Sequence, residues 1–250
     1  MRKIDCQLME LIEICIAHGF IRRGEAFFRC CGDGVIQNIL YEKRIHPYAT
    51  TDIKFGLYSV YGELEPRWMT SSGCIPRYHA HWLIPGIKER YYEVRSKTSQ
   101  HMDDVTSVEC YSLDLRFVEC TIIPFLDQIN TQAELSKAII QLDKEARGPV
   151  VKDVLWNDLI KIAPYMHSKD YEMALFVVNN IIEQHEHAAR QKMCFLRNGK
   201  TTEELLQEEG TCYFYGLRNM LLEQDERRIG QYLNSNHAKN QKLISFMRRL

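Results

Sequence analysis

None of the nine cysteines forms a C-x-x-C pair, and none of the 250 residues falls into the spacing of a known catalytic or metal site. A phosphate loop is absent as well, because Gly32-Asp33-Gly34 lacks the third glycine and the lysine such loops need. Ser71-Ser72-Gly73 is not a nucleophile elbow. In His185-Glu186-His187 the histidines stand two apart, about 200° around a helix, so they cannot share a zinc ion. Charge of one sign is also missing. Thirty-two basic and 33 acidic side chains leave a net charge of −1, which gives no global field toward nucleic acid or anionic lipid. Apolar runs such as Leu175 to Val178 and Thr121 to Leu126 are far shorter than the roughly 20 residues of a bilayer span. Met1-Arg2-Lys3 leads into a carboxylate-punctuated pattern rather than the apolar run of a secretory signal. An odd number of scattered cysteines reads as buried free thiols in a reducing cytosol. The expectation is a cytoplasmic protein with no membrane or nucleic-acid partner and no cofactor.

What is present is ordinary globular material, 45% hydrophobic and 26% charged. Ile4, Leu8, Leu11, Ile12, Cys15 and Ile16 form one stripe of a helix over residues 3–17, which Gly19 is suited to end. The chain is organised around the strands after this helix. Ala26 to Cys31 reads as a strand, Gly32-Asp33-Gly34 as a tight reversal, and Val35 to Tyr41 as a partner strand covered on both faces. In Asp52 to Tyr61, Ile53, Phe55 and Leu57 share a face, and Gly56 opposite marks a bulge or a close approach. Four of the seven prolines lie between Pro47 and Pro85, a region of loops and short strands, with Tyr78 to Ile84 and Arg90 to Arg95 as strand candidates. The sum is one antiparallel sheet of about five strands.

After Gln100 the period becomes helical. A helix from about Asp103 is expected to stop or kink at Pro124, and Thr131 with Glu134 forms a capping box for the next. Gly148-Pro149 ends that helix. Further helices are expected over Val151 to Ile162 (stopping before Pro164), over Tyr171 to Met193 with Ser168 as cap, and over Leu205 to Gln224, opened by a second capping box of Thr201 and Glu204 and broken at Gly210. Arg227 to Leu233 and a last helix are separated by a turn at Asn234-Ser235-Asn236. The fold class is therefore α+β, with an antiparallel sheet and packed helices over 1–148 and a helical region of antiparallel pairs over 149–250.

The N-terminal half resembles the bacterial domain-of-unknown-function family numbered 4304. The matching residues are Gly19-Phe20 with Arg23 and Gly24, Phe27-Phe28-Arg29, Val35 to Leu40, Ile53 to Leu57 and Pro124-Phe125-Leu126, in order and spacing over about residues 3–145. Where that family often shows paired tryptophans, this chain has Glu89-Arg90-Tyr91-Tyr92. The resemblance implies an α+β fold and carries no established activity or site residues.

Cys74, His79 and His81 come nearest to a metal set. On a strand the two histidines would share a face about 7 Å apart, but a third and fourth ligand are not in sight, so no metal is expected. The basic pairs Arg22-Arg23 and Lys43-Arg44, together with Arg29, read as solvated surface. No catalytic residue is assigned. His79, His81 and Trp82 are the candidate binding residues. The expected function is a non-enzymatic protein-binding or interaction module whose amphipathic helices and many tyrosines suit a protein partner. Its most specific form, an immunity or regulatory protein of a bacterial conflict system, is suggested only by the resemblance. The rival is a hydrolase with its site in the sheet-to-helix cleft around His79, His81 and Glu93.

Overall fold

The computed structural model describes residues 3–24, 26–44, 50–63, 78–79, 115, 118–146, 154–195, 201–208 and 210–249. They form two compact units. One holds Met1–Tyr58, Leu64–Val151 and Met247–Leu250; the other holds Ser59–Glu63 and Lys152–Phe246.

The first unit is α+β, as the hydrophobic periods require. Helix α1 (Lys3–Ala17) is followed by β1 (Ile21–Arg23), β2 (Ala26–Cys31), β3 (Val35–Arg44), β4 (Thr50–Ser59) and β5 (Tyr78–His79). The strands make one sheet in the order β1-β2-β3-β4-β5, with β1 too short to have a sequence signature of its own. Register is set by the reversal at Gly32 and Gly34, both at positive φ, which pairs Phe27 with Ile39 and Phe28 with Asn38. Side chains alternate, so each face is a separate list. One carries Phe27, Arg29, Gln37, Ile39, Phe55 and Leu57; the other carries Phe28, Asn38, Leu40, Lys54, Gly56 and Tyr58. All except Arg29 are buried, in keeping with strands covered on both faces.

The first face is closed by helix. A π-helical turn (Val118–Ile122) runs directly into α2 (Ile123–Asp127), and α3 (Gln132–Ala146) follows. Pro124 therefore does not stop the helix. It sits at the start of α2, directly after the π turn, where the helix changes its hydrogen-bond pattern. Phe125 meets Phe55 edge-to-face, with centroids 5.9 Å apart. Gln37 reaches from the sheet to donate through Nε2 to the carbonyls of Leu126, at 2.7 Å, and Ile129, at 2.8 Å. Its Oε1 accepts from Arg29 Nε at 2.7 Å. Arg29 also donates to His18 O at 3.0 Å and Asp127 Oδ1 at 2.5 Å, and lies 4.5 Å over the Phe20 ring. Arg29 is thus no solvated surface residue. The capping box forms as expected: Glu134 N donates to Thr131 Oγ1 at 3.2 Å, and Glu134 Oε2 accepts from the N–H groups of Asn130 and Thr131 at 2.8 and 2.9 Å. Gly32 lies so close to Asn130 O that a side chain there would collide with it.

The second unit is helical: α4 (Val154–His167), α5 (Tyr171–Phe195), α6 (Thr202–Glu208), α7 (Thr211–Leu222) and α8 (Glu226–Arg249). Three expectations are corrected here. Helix α4 continues through Pro164 instead of ending before it, because residues 160–166 are all buried and their packing outweighs the roughly 3 kcal/mol a helical proline costs. Ser168 does not cap α5. Its hydroxyl donates back to Pro164 O at 2.8 Å, and Asp170 Oδ1 accepts from Met173 N at 3.2 Å to do the capping. No turn interrupts α8 at Asn234-Ser235-Asn236, since Ile229, Leu233, Asn240 and Ile244 keep one buried stripe across it. The break at Gly210 and the Thr201–Glu204 capping box are both present.

In the same unit, helices grip the stretch Ser59–Glu63. Asn240 Nδ2 donates to Val60 O at 2.8 Å and Gly62 O at 2.7 Å. The Tyr61 ring lies between His167 and His237, with centroids 4.4 and 5.0 Å away. Glu63 accepts from the Tyr213 hydroxyl, whose pKa is driven up first by burial.

Two outcomes are expected. Phe27 is fully buried, so Phe27→Ala should destabilise by about 3–5 kcal/mol in chemical denaturation; a loss under about 1 kcal/mol would mean the strand does not depend on this ring. The N–H groups of Asn130 and then Thr131 hold the Glu134 carboxyl below its usual pKa. A depressed carboxylate pKa stabilises above the unfolded value, and that contribution is lost as pH falls through the folded value. The urea midpoint of Glu134→Gln should therefore fall less steeply than wild type from about pH 5 to about pH 3. Parallel curves would remove the cap's role.

Candidate functional site

The second face of the sheet gathers buried polar side chains around a glycine. Apolar residues dominate β3 and β4, yet Asn38, Lys54 and Tyr58 share this face and are 1%, 8% and 2% exposed. Between them along β4 stands Gly56. A side chain there would begin 2.5 Å from the Tyr58 hydroxyl and 2.6 Å from Asn38 Oδ1, so both polar atoms converge on the space that a Cβ would take. The close approach expected at Gly56 is therefore real, and the approaching groups are an amide and a phenol.

Asn38 is the unusual member. Neither Oδ1 nor Nδ2 has a hydrogen-bond partner among the described residues, and it is the one buried amide there with both atoms open. Leaving such a group unsatisfied costs about 1–3 kcal/mol. Its neighbour Gln37, one residue back and on the opposite face, shows the contrast, with its donor and acceptor both engaged at 2.8 Å or less. Lys54 and Tyr58 each make a further interaction.

Of the residues singled out from the sequence, His79 lies in β5, and its backbone pairs with Lys54, a register position on this same face. His81 and Trp82 lie outside the described residues, as do Cys74, Glu93, the rest of the strand candidates over 80–84 and 90–95, and Gly148-Pro149. His185 and His187 are occupied separately. His185 Nδ1 pairs with Thr211 Oγ1 at 3.1 Å, and His187 Nε2 with Gln191 Nε2 at 2.9 Å. Among the described residues no three metal-ligating side chains come together, and no helix is long and apolar enough to cross a membrane.

The thiols divide more than the sequence suggests. Cys15 is buried and its pKa is pushed up to about 12 by that burial, against the pull of Arg29. Cys120 and Cys212 are exposed, which corrects the expectation of uniformly buried thiols. Sequence reasoning passed over Asn38 and Lys54. The signal in the sequence is only partial: each is a polar residue in the buried stretch of its strand, where burial demands a partner, and Gln37 gives the same signal.

Gly56→Ala should lower stability by roughly 1–3 kcal/mol, and adding Tyr58→Phe should recover part of the loss by removing the nearest oxygen. An unchanged denaturation midpoint for Gly56→Ala would show that the amide and phenol are not held against β4.

Comparison with protein-family models, curated proteins and solved structures finds no match to this chain, so the resemblance to family 4304 rests on its motifs alone and the site is read from its chemistry.

Proposed function

We propose that the protein is a non-enzymatic binding module. One observation carries this reading: an open amide and a phenol converge on Gly56, with an ammonium on the same buried face. These are recognition groups. Buried polar groups of this kind orient a polar ligand and discriminate against one that leaves them unpaired. A protein partner suits the helical unit, where Phe176 and Leu222 keep 54% and 60% of their surface in solvent. A reducing cytosol suits exposed free thiols such as Cys120 and Cys212. The resemblance to family 4304 suggests an immunity or regulatory role as the specific form.

The second reading is a hydrolase near His79 and His81. What favours it is the register of β5, which sets His79 opposite Lys54. Wild type and His79→Gln should be compared on ester, phosphoester and amide reporter substrates. The expected result is the same background rate for both proteins. Turnover that His79→Gln abolishes, with the fold intact by circular dichroism, would replace the binding reading with the hydrolase.

A further inference from the structure

We infer that Asn38 is the recognition element of a ligand site on the second sheet face. The ligand it fits presents a planar edge with a hydrogen-bond donor beside an acceptor, the chemistry of a carboxamide or of a nucleobase edge. This rests on the binding reading above and names the ligand class for it.

An asparagine offers two N–H donors on Nδ2 and two lone pairs on Oδ1, all in one plane. A group that matches both at once must carry an acceptor and a donor side by side, as carboxamides do and as adenine does at N7 and N6. A lone carboxylate or phosphate would satisfy Nδ2 and leave Oδ1 facing an acceptor. Among the described residues the other buried amides are satisfied at least in part: Gln37 fully, Asn240 through two backbone carbonyls, and Gln132 through the bond its Nε2 donates to Asp33 O at 2.7 Å. Asn38, at 1% exposure, is left open at both atoms among the described residues. Gly56 adds the second element. With no side chain it admits Asn38 Oδ1 and the Tyr58 hydroxyl against the strand together, which sets a hydroxyl beside the amide edge. On the opposite face, among the described residues, Arg29 and the carbonyls of Leu126 and Ile129 consume the amide of Gln37.

The test is the side-chain amide signal of Asn38 in the full chain, read by two-dimensional nitrogen–proton NMR and assigned by its loss in Asn38→Leu. Adenosine and nicotinamide are titrated separately. A saturable shift with adenosine alone identifies a nucleobase edge, with nicotinamide alone a carboxamide, and with both the shared edge. Asn38→Ser, a smaller change should leucine not be accommodated, should bind the active probe about tenfold more weakly or worse. Asn38→Leu should melt no lower than wild type, since an apolar group replaces two unpaired polar atoms. No shift with either probe, and Asn38→Leu as stable as wild type, overturns the ligand class while leaving the face open to another ligand. No shift with either probe, and a melting temperature several degrees lower for Asn38→Leu or Asn38→Ser, shows an amide satisfied within the protein. That outcome overturns both this inference and the binding reading.

Discussion

The sheet unit depends on one buried side-chain amide. Gln37 ties the third strand to the carbonyls that end a short helix some 90 residues later, and it orients Arg29, which ties the same place to the end of the first helix. A half-buried guanidinium beside a buried amide is costly unless every polar atom is answered, and here three elements answer them. The gain is specificity of docking. An apolar helix end could slide over Phe55 and Leu57, but one whose last carbonyls must meet Gln37 has a single seat.

That interaction also explains why the two faces differ. On one face polar groups are spent on architecture, linking helix to sheet. On the other, the polar residues surround a glycine, and an amide stays open. Adjacent residues of β3 therefore differ: the amide of Gln37 docks a helix, while that of Asn38 meets no partner among the described residues.

Much of the fold was legible in the sequence. Period two over 53–57, two glycines in a three-residue reversal, and two capping boxes all act locally, so the chain itself declares them. The errors arose where tertiary packing outweighed a local rule. Pro164 and the Asn234-Ser235-Asn236 stretch both favour breaks, yet the buried stripes on either side carry the helices through. Ser168 and Asp170 are both competent caps, and only the path of the chain between helices selects the aspartate. The candidate site was half legible. Gly56 announced a close approach, but nothing local says which side chain will approach. Asn38 is indistinguishable in sequence from Gln37, whose amide the fold fully uses; partners some 90 residues distant decide between them.

The contact between Gly32 and Asn130 bears on the order in which the molecule assembles. The β2–β3 hairpin is local and can form in microseconds, while its turn is completed only when Asp33 N meets Asn130 O and Gln132 donates to Asp33 O. Those partners lie almost 100 residues downstream, and the capping box that shapes them belongs to α3. On a ribosome the hairpin emerges well before the segment that seals it. Through that interval Phe27 and Phe28 lack the helix that later covers their sheet, which leaves the nascent hairpin exposed to mispairing.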